Sequence, residues 1–226
     1  MIHVGIDQIQ AVAEHLQDLR DQVVFVGGAT AALLVDPAAA HGARKTEDID
    51  FVIDINIIGE FRRFEERMRN LGFRHDQSDG APICRWTLPY YGKNLIVDAM
   101  PVDECVLGFS NRWYRQTVAT AWVKELKQDL RIRVVDPVYF LGTKFEAWHG
   151  RGENDIFAHD LEDLFFVLEH RTGIERELYD SSPEIRTYLG EQCKFLLAHP
   201  GLDNCLPGLV DRPNVVRSRL QFISKF

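Results

Sequence analysis

The sequence predicts an α/β (α+β) protein: a mixed sheet flanked by helices, followed by a helical C-terminal region. Three observations carry that expectation. In the first 135 residues, short apolar β-branched runs such as VVFV (23–26) and LRIRVV (130–135) alternate with amphipathic stretches. Two strand-like runs, TEDIDFVIDI (46–55) and NLIVDAMPV (94–102), carry acids in their interiors, which a plain core strand avoids. After Asp136-Pro137 the strand-like runs stop and helical spacing takes over. A boundary there divides the chain into residues 1–136 and 137–226.

Taken in order, Asp7 to Asp21 place Ile9, Val12, Leu16 and Leu19 at spacings of three and four, which predicts an amphipathic helix. VVFVGG then reads as a strand closed by a tight turn, with ATAALLV opening a helix. Asp36-Pro37 ends that helix, and AAAHGARKT is a loop into the strand of TEDIDFVIDI. A second amphipathic helix spans Ile58 to Leu71, stopped by Gly72. Strands are expected around Phe73 to His75, at 83–91, at 94–102, and as a pair at 119–126 and 130–135. Beyond Asp136, VYFLGTKFEAWHG, DLEDLFFVLEHR and EIRTYLGEQCKFLLAHP read as helices. The basic stretch at the end, with Arg212, Arg217 and Arg219, reads as a solvated helix face rather than an RNA contact.

A composition of 46% hydrophobic and 27% charged residues is that of a globular chain with a core of its own. No apolar run approaches the roughly 20 residues that span a bilayer, and the N-terminus lacks the pattern of a secretory leader, so the expectation is a cytoplasmic protein with no membrane partner. Cys84, Cys105, Cys193 and Cys205 form no CxxC pair and read as reduced thiols. The formal net charge of -8 argues against a surface that coats nucleic acid broadly, while leaving room for a small substrate or an RNA end at a local site.

The chemistry concentrates in three places. Asp48 and Asp50 flank Ile49, so in a strand both carboxylates share one face, within about 7 Å of each other. Like charges so close repel, and a divalent cation is the simplest compensation. Asp98 is a third strand acid, read either as a ligand on a neighbouring strand or as a strand-end acid near a turn. Gly27-Gly28 stands at the strand-to-helix turn, where absent side chains serve a tight turn or let a phosphate approach the backbone. Three carboxylates on one face would suit magnesium, which leaves coordination positions for substrate phosphates.

A glycine pair opening a helix, an acid–hydrophobic–acid strand and a further strand acid together resemble the DNA polymerase β-type nucleotidyltransferase superfamily. More narrowly, GGATAALL with RKTEDIDF, LIVDAMPVDECVLGFSNRWY, YFLGTKFEAWHGRGEND and HDLEDLFFVLEHR resemble the AbiEii/AbiGii-type nucleotidyltransferases, the toxin half of type IV toxin–antitoxin pairs. The resemblance runs from about Val23 to Arg171. It implies a nucleotidyltransferase-type sheet with a helical C-terminal domain, and transfer of a nucleoside monophosphate from a triphosphate to an acceptor hydroxyl. It further implies that Gly27, Gly28 and Thr30 hold the triphosphate, and that Asp48, Asp50 and Asp98 bind two magnesium ions. Lys144 would contact phosphate, with Asp160 and Asp163 as the DxxD motif that takes part in nucleotide binding.

Residue by residue, alternatives stand beside those roles. Lys144 taken alone reads as a solvated helix lysine, and only the resemblance lifts it to a phosphate contact; Asp160 with Asp163 reads equally as an exposed acidic face balanced by Arg171 or His159. Arg44 and Lys45 either meet phosphates or balance Glu47, and Trp113 and Tyr114 of NRWYR either pack in the core or stack a base. His149 and His159-Asp160 echo a metal phosphohydrolase, but the further histidines that chemistry needs are missing, and His41 and His75 read as surface residues. The resemblance implies RNA, a tRNA end in particular, or a protein side chain as acceptor, with ATP, GTP or CTP as donor and a cognate antitoxin as partner. A small antibiotic-type acceptor is the second enzymatic reading, and a nucleotide-binding regulator without turnover is the third.

Overall fold

The computed structural model describes residues 4–226. The expected mixed α/β architecture is observed: one seven-stranded sheet and many helices. By contacts the chain forms two compact units. The described residues up to Thr30 group with Arg44–Val135, and Ala31–Ala43 group with Asp136–Phe226.

The first unit holds the whole sheet. Its strands are β1 (Val23–Val26), β2 (Asp48–Ile53), β3 (Arg74–His75), β4 (Arg85–Tyr90), β5 (Lys93–Pro101), β6 (Trp122–Lys127) and β7 (Leu130–Val134), in the order β3-β4-β5-β2-β1-β7-β6. β2 runs parallel to β5 and antiparallel to β1, while β4–β5 and β6–β7 are antiparallel hairpins. The β4–β5 hairpin turns through Tyr91 and Gly92, both at positive φ (43° and 77°), the backbone that a two-residue hairpin matched to the strand twist requires. That turn fixes the register from Tyr90↔Lys93 back to Arg85↔Asp98.

Alternation along these strands sorts the sheet into two faces. Ile49, Phe51, Trp86, Leu88, Val97 and Ala99 are buried on one of them. There Phe51 meets Phe25 of β1, ring centroids 6.1 Å apart, and Phe64 of α3 (Ile58–Asn70), 6.2 Å away. With Phe61 and Met68 also buried, the i, i+3, i+7 stripe of IGEFRRFEERMRN pins α3 to the sheet. The residues between them on β2 and β5, Asp48, Asp50 and Asp98, are thereby turned to the opposite face.

Elsewhere the local structure departs from the sequence reading in a few places. The first helix, α1, spans Val4–Leu16 and gives way at Gln17 (φ 50°) to a 3-10 segment, Gln17–Gln22, which still buries Leu19. After β1 a 3-10 turn, Gly28–Thr30, precedes the short α2 (Ala31–Leu34). α4 (Glu104–Leu107) and α5 (Tyr114–Thr120) are additions that weak periodicity concealed. α4 is a single turn capped by Asp103, whose carboxylate accepts from the Cys105 N–H, and ended by Gly108 at φ 84°. Trp113 is fully buried and the Tyr114 hydroxyl lies 3.1 Å from the Met100 sulfur, so both aromatics of NRWYR serve packing.

The second unit is helical: α6 (Pro137–His149), α7 (His159–His170), α8 (Ile174–Asp180), α9 (Pro183–Leu197), α10 (Leu202–Leu209) and α11 (Pro213–Ile223). Asp136-Pro137 starts α6 for a physical reason: the Asp136 carboxylate accepts from the Val138 and Tyr139 N–H groups, and proline fills the first helical position. The Arg212, Arg217 and Arg219 stretch is partly solvated, as expected, but each cation is also paired. Arg212 and Arg219 bond to Glu169 and Glu175, and Arg217 pairs with Asp203, so these cations tie α11 to its neighbours. Gly190 of α9 lets the C-terminus lie close, since a Cβ there would sit 2.9 Å from the Phe226 carbonyl carbon. Gly190→Ala is expected to cost about 1–3 kcal/mol by overpacking, read from the urea midpoint.

Candidate active site

The site is built from one row of residues across four strands. Arg85 of β4 faces Asp98 of β5, Asp98 faces Asp50 of β2, and Asp50 faces Val26 of β1. Directly opposed residues project to the same face, so the pairing register alone gathers Arg85, Asp98 and Asp50. Asp48, two residues before Asp50, joins them on that face. One oxygen from each of Asp48, Asp50 and Asp98 lies within 4.8 Å of the others. Asp98 is buried, and Asp48 and Asp50 are half-buried. The Thr46 hydroxyl donates to the Asp48 carbonyl at 3.2 Å and steadies the entry into β2.

Gly27 makes room for this arrangement. Its φ of +71° suits glycine, and a Cβ on it would overlap the Asp50 carboxylate, with the Asp50 Cγ only 2.7 Å away. The first glycine of the pair is therefore needed to let an acid approach the turn. Thr30 closes that turn: its N–H and its hydroxyl both donate to the Gly27 carbonyl, at 3.2 and 2.8 Å. Thr30 is fully buried, so its side chain shapes the loop from within. Arg44, just before β2, donates to the Lys45 carbonyl at 3.2 Å.

Arg85 is the member of the row that the sequence reading passed over. Its Nε donates to Asp98 Oδ1 at 2.9 Å and its Nη2 to Oδ2 at 2.7 Å, a two-pronged ion pair. The Asp98 hydrogen bonds push the Arg85 pKa above its ordinary value, and the Asp48 charge adds to them. The signal was present in the sequence: counting back from a two-residue turn at Tyr91-Gly92 sets Arg85 opposite Asp98. Beside the row, burial and then the Asp98 charge push the Cys84 thiol up to about 12, which keeps it protonated and unsuited to nucleophilic chemistry.

Lys144, Asp160 and Asp163 form a separate cluster within the helical unit. The Lys144 ammonium on α6 donates to Asp163 Oδ2 at 2.6 Å and to Asp160 Oδ1 at 2.9 Å, both on α7. All three are buried, with relative exposures of 4, 5 and 1% for Lys144, Asp160 and Asp163. They are neither a solvated lysine nor an exposed acidic face. Arg151, which the sequence did not single out, adds a second cation, bonding to Asp160 at 3.1 and 3.0 Å. Burial alone would lower the Lys144 pKa, but Asp163 and Asp160 outweigh it and the net shift is upward. Burial alone would raise Asp160, but Lys144 and Arg151 hold its carboxyl below the usual range. Arg171 pairs with Glu177 and His159 with Glu162. His75 is half-buried against the Trp86 ring and bonds to Glu65.

The carboxylate row fits a hard divalent cation: three oxygen donors converge, and the strands carrying them are fixed by backbone pairing. Among the described residues no helix is long and apolar enough to cross a membrane.

Residues 11–194 match the family profile described as "Nucleotidyl transferase AbiEii toxin, Type IV TA system". No curated protein matches the chain significantly. Among solved structures the chain resembles an antigenic nucleotidyltransferase-like protein from Paracoccidioides brasiliensis, at 18% identity and a TM-score of 0.55, covering 94% of this chain and 96% of that one. It also resembles JHP933 from Helicobacter pylori, at 18% identity and a TM-score of 0.54, covering 100% of this chain and 94% of that one. At such identities the likeness is one of fold.

Two outcomes are expected from the geometry. Lys144→Met leaves two buried carboxylates facing each other and costs about 3–5 kcal/mol in chemical denaturation. Adding Asp160→Asn and Asp163→Asn to it recovers part of that loss. Gly27→Ala drives a Cβ into the Asp50 carboxylate at a positive φ and is expected to cost about 1–3 kcal/mol, read from the urea midpoint.

Proposed function

The chain belongs to the AbiEii nucleotidyltransferase family, and from that premise we propose that it transfers a nucleoside monophosphate from a nucleoside triphosphate to an acceptor hydroxyl with the help of two magnesium ions. The observation that carries this reading is the convergence of Asp48, Asp50 and Asp98 to within 4.8 Å. The acceptor oxygen attacks the α-phosphorus, the bond from that phosphorus to the oxygen bridging to the β-phosphate breaks, and pyrophosphate leaves. Bound there, divalent ions stabilise both the attacking and the leaving oxygen of such an in-line displacement.

The chain's own residues supply the rest. Asp48 and Asp50 aim their carboxylates at one point because β2 alternation leaves no other choice. Asp98, which lies opposite Asp50 in the parallel pair, draws the proton from the acceptor hydroxyl in this reading. The Gly27-Gly28 turn receives the triphosphate beside Asp50, and Thr30 contributes by holding that turn closed. In the helical unit, Asp160 and Asp163 hold the buried Lys144 ammonium, and that cluster fixes α6 against α7. The acceptor is an RNA end, of tRNA in particular, or a protein side chain, and the biological role is that of a toxin restrained by a cognate antitoxin.

The test is a label-transfer assay with each α-labelled triphosphate, magnesium, and total RNA or the protein itself as acceptor. Label is expected on one acceptor class with the wild type. Asp48→Asn/Asp50→Asn is expected to reduce the transfer at least about 1,000-fold while leaving the fold intact by circular dichroism. Transfer that survives in this variant contradicts the assignment of the site.

A further inference from the structure

Arg85 is held at the site by construction. The Tyr91-Gly92 turn fixes the hairpin register that sets it opposite Asp98. Two of its nitrogens, Nε and Nη2, engage the two oxygens of that one carboxylate, at 2.9 and 2.7 Å. The same carboxylate contributes to the group whose oxygens converge with those of Asp48 and Asp50. A guanidinium and a divalent ion crowding one carboxylate repel each other, so full occupation by one disfavours the other. The Arg85 side chain is 25% exposed against 10% for Asp98, so the cation has a way out and the carboxylate stays.

We propose that Arg85 is a positioning residue serving as the internal counter-ion of Asp98, in competition with the metal for that carboxylate. Without an ion, the fork holds Asp98 aimed toward Asp48 and Asp50 and offsets their mutual repulsion. When the site is loaded, Arg85 gives up at least one Asp98 oxygen. Its planar fork, still on the same sheet face, then turns to the phosphate oxygens of the bound nucleotide, which it matches in geometry and charge. Ion loading and the recruitment of a cation to the phosphates thus become one event, and the weaker ion position is the one that Asp98 completes.

The inference rests on the nucleotidyltransferase reading above, and the test separates the two. Manganese binding by the full chain without nucleotide is followed by electron paramagnetic resonance for wild type, Arg85→Gln, Arg85→Lys and Asp48→Asn, each checked for folding by circular dichroism. Removing the competing fork in Arg85→Gln is expected to tighten the weaker manganese site at least about tenfold, with Arg85→Lys intermediate because its point charge cannot fork. At saturating manganese, the same variants are expected to bind a non-hydrolysable triphosphate more weakly than wild type. A merely structural Arg85 would weaken both affinities together, so opposite signs identify the counter-ion role. Should Arg85→Gln not fold, Arg85→Lys carries the same comparison. If manganese binding depends on Asp48 but the Arg85 variants bind it as wild type does, or more weakly, this inference is overturned and the transferase reading stands. If the wild type binds no manganese, or binds it as well after Asp48→Asn, both fall.

Discussion

The carboxylates of Asp48, Asp50 and Asp98 repel one another, and the sheet end is organised around that repulsion. At an effective dielectric of about 20, two unit charges no more than 4.8 Å apart disfavour each other by at least about 3 kcal/mol. Nothing in a sheet requires acids there, and the backbone would pair as well with apolar residues. Besides the Arg85–Asp98 ion pair, the structure keeps them together through interactions that do not depend on charge. Parallel pairing of β2 with β5 places Asp50 beside Asp98, burial of Ile49, Phe51, Val97 and Ala99 fixes which face they take, and glycine at 27 yields space to the Asp50 carboxylate. Slipping either strand by one residue would turn the acids into the core, at a cost no local contact could offset.

The helical unit solves a similar problem in the opposite way. Lys144, Asp160 and Asp163 are buried in a matched cluster, with Arg151 reaching in from the surface to Asp160. Such a cluster is costly to desolvate and contributes little net stability against an apolar replacement, but it punishes the loss of any one member. It fixes α6 against α7 in one arrangement, since an i, i+3 pair on one helix face meets a single ammonium. The carboxylate row instead gathers three carboxylates on one sheet face, with Arg85 joined to Asp98 by two hydrogen bonds. One cluster is matched in sign and buried; the other brings like charges together where a hard cation fits.

The sheet was legible because its strands obey local rules. DFVIDI and NLIVDAMP are apolar on alternate residues, so the shared face of Asp48 and Asp50 followed from period two, and VVFVGG announced a strand and a turn. The role of Gly27 was half visible: the turn was, but the close approach of Asp50 depends on the β1–β2 pairing, which lies beyond any window of sequence. Arg85 was missed because RWTLPY reads as an ordinary strand until the Tyr91-Gly92 turn is counted through. The helices of Glu104–Leu107, Ile174–Asp180 and Leu202–Leu209 were missed because they are too short to show a full amphipathic period, and tertiary packing holds them. The pairing of the last arginines escaped the sequence because their acidic partners, Glu169, Glu175 and Asp203, lie 14 to 44 residues away.

The most direct test of the central claim, that three strand carboxylates form one cation site for nucleotide transfer, is anomalous scattering from crystals grown with manganese and a non-hydrolysable nucleoside triphosphate. The account predicts anomalous density bounded by Asp48, Asp50 and Asp98, with the triphosphate beside the Gly27-Gly28 turn. Manganese bound elsewhere, or a triphosphate seated away from these carboxylates, would contradict it.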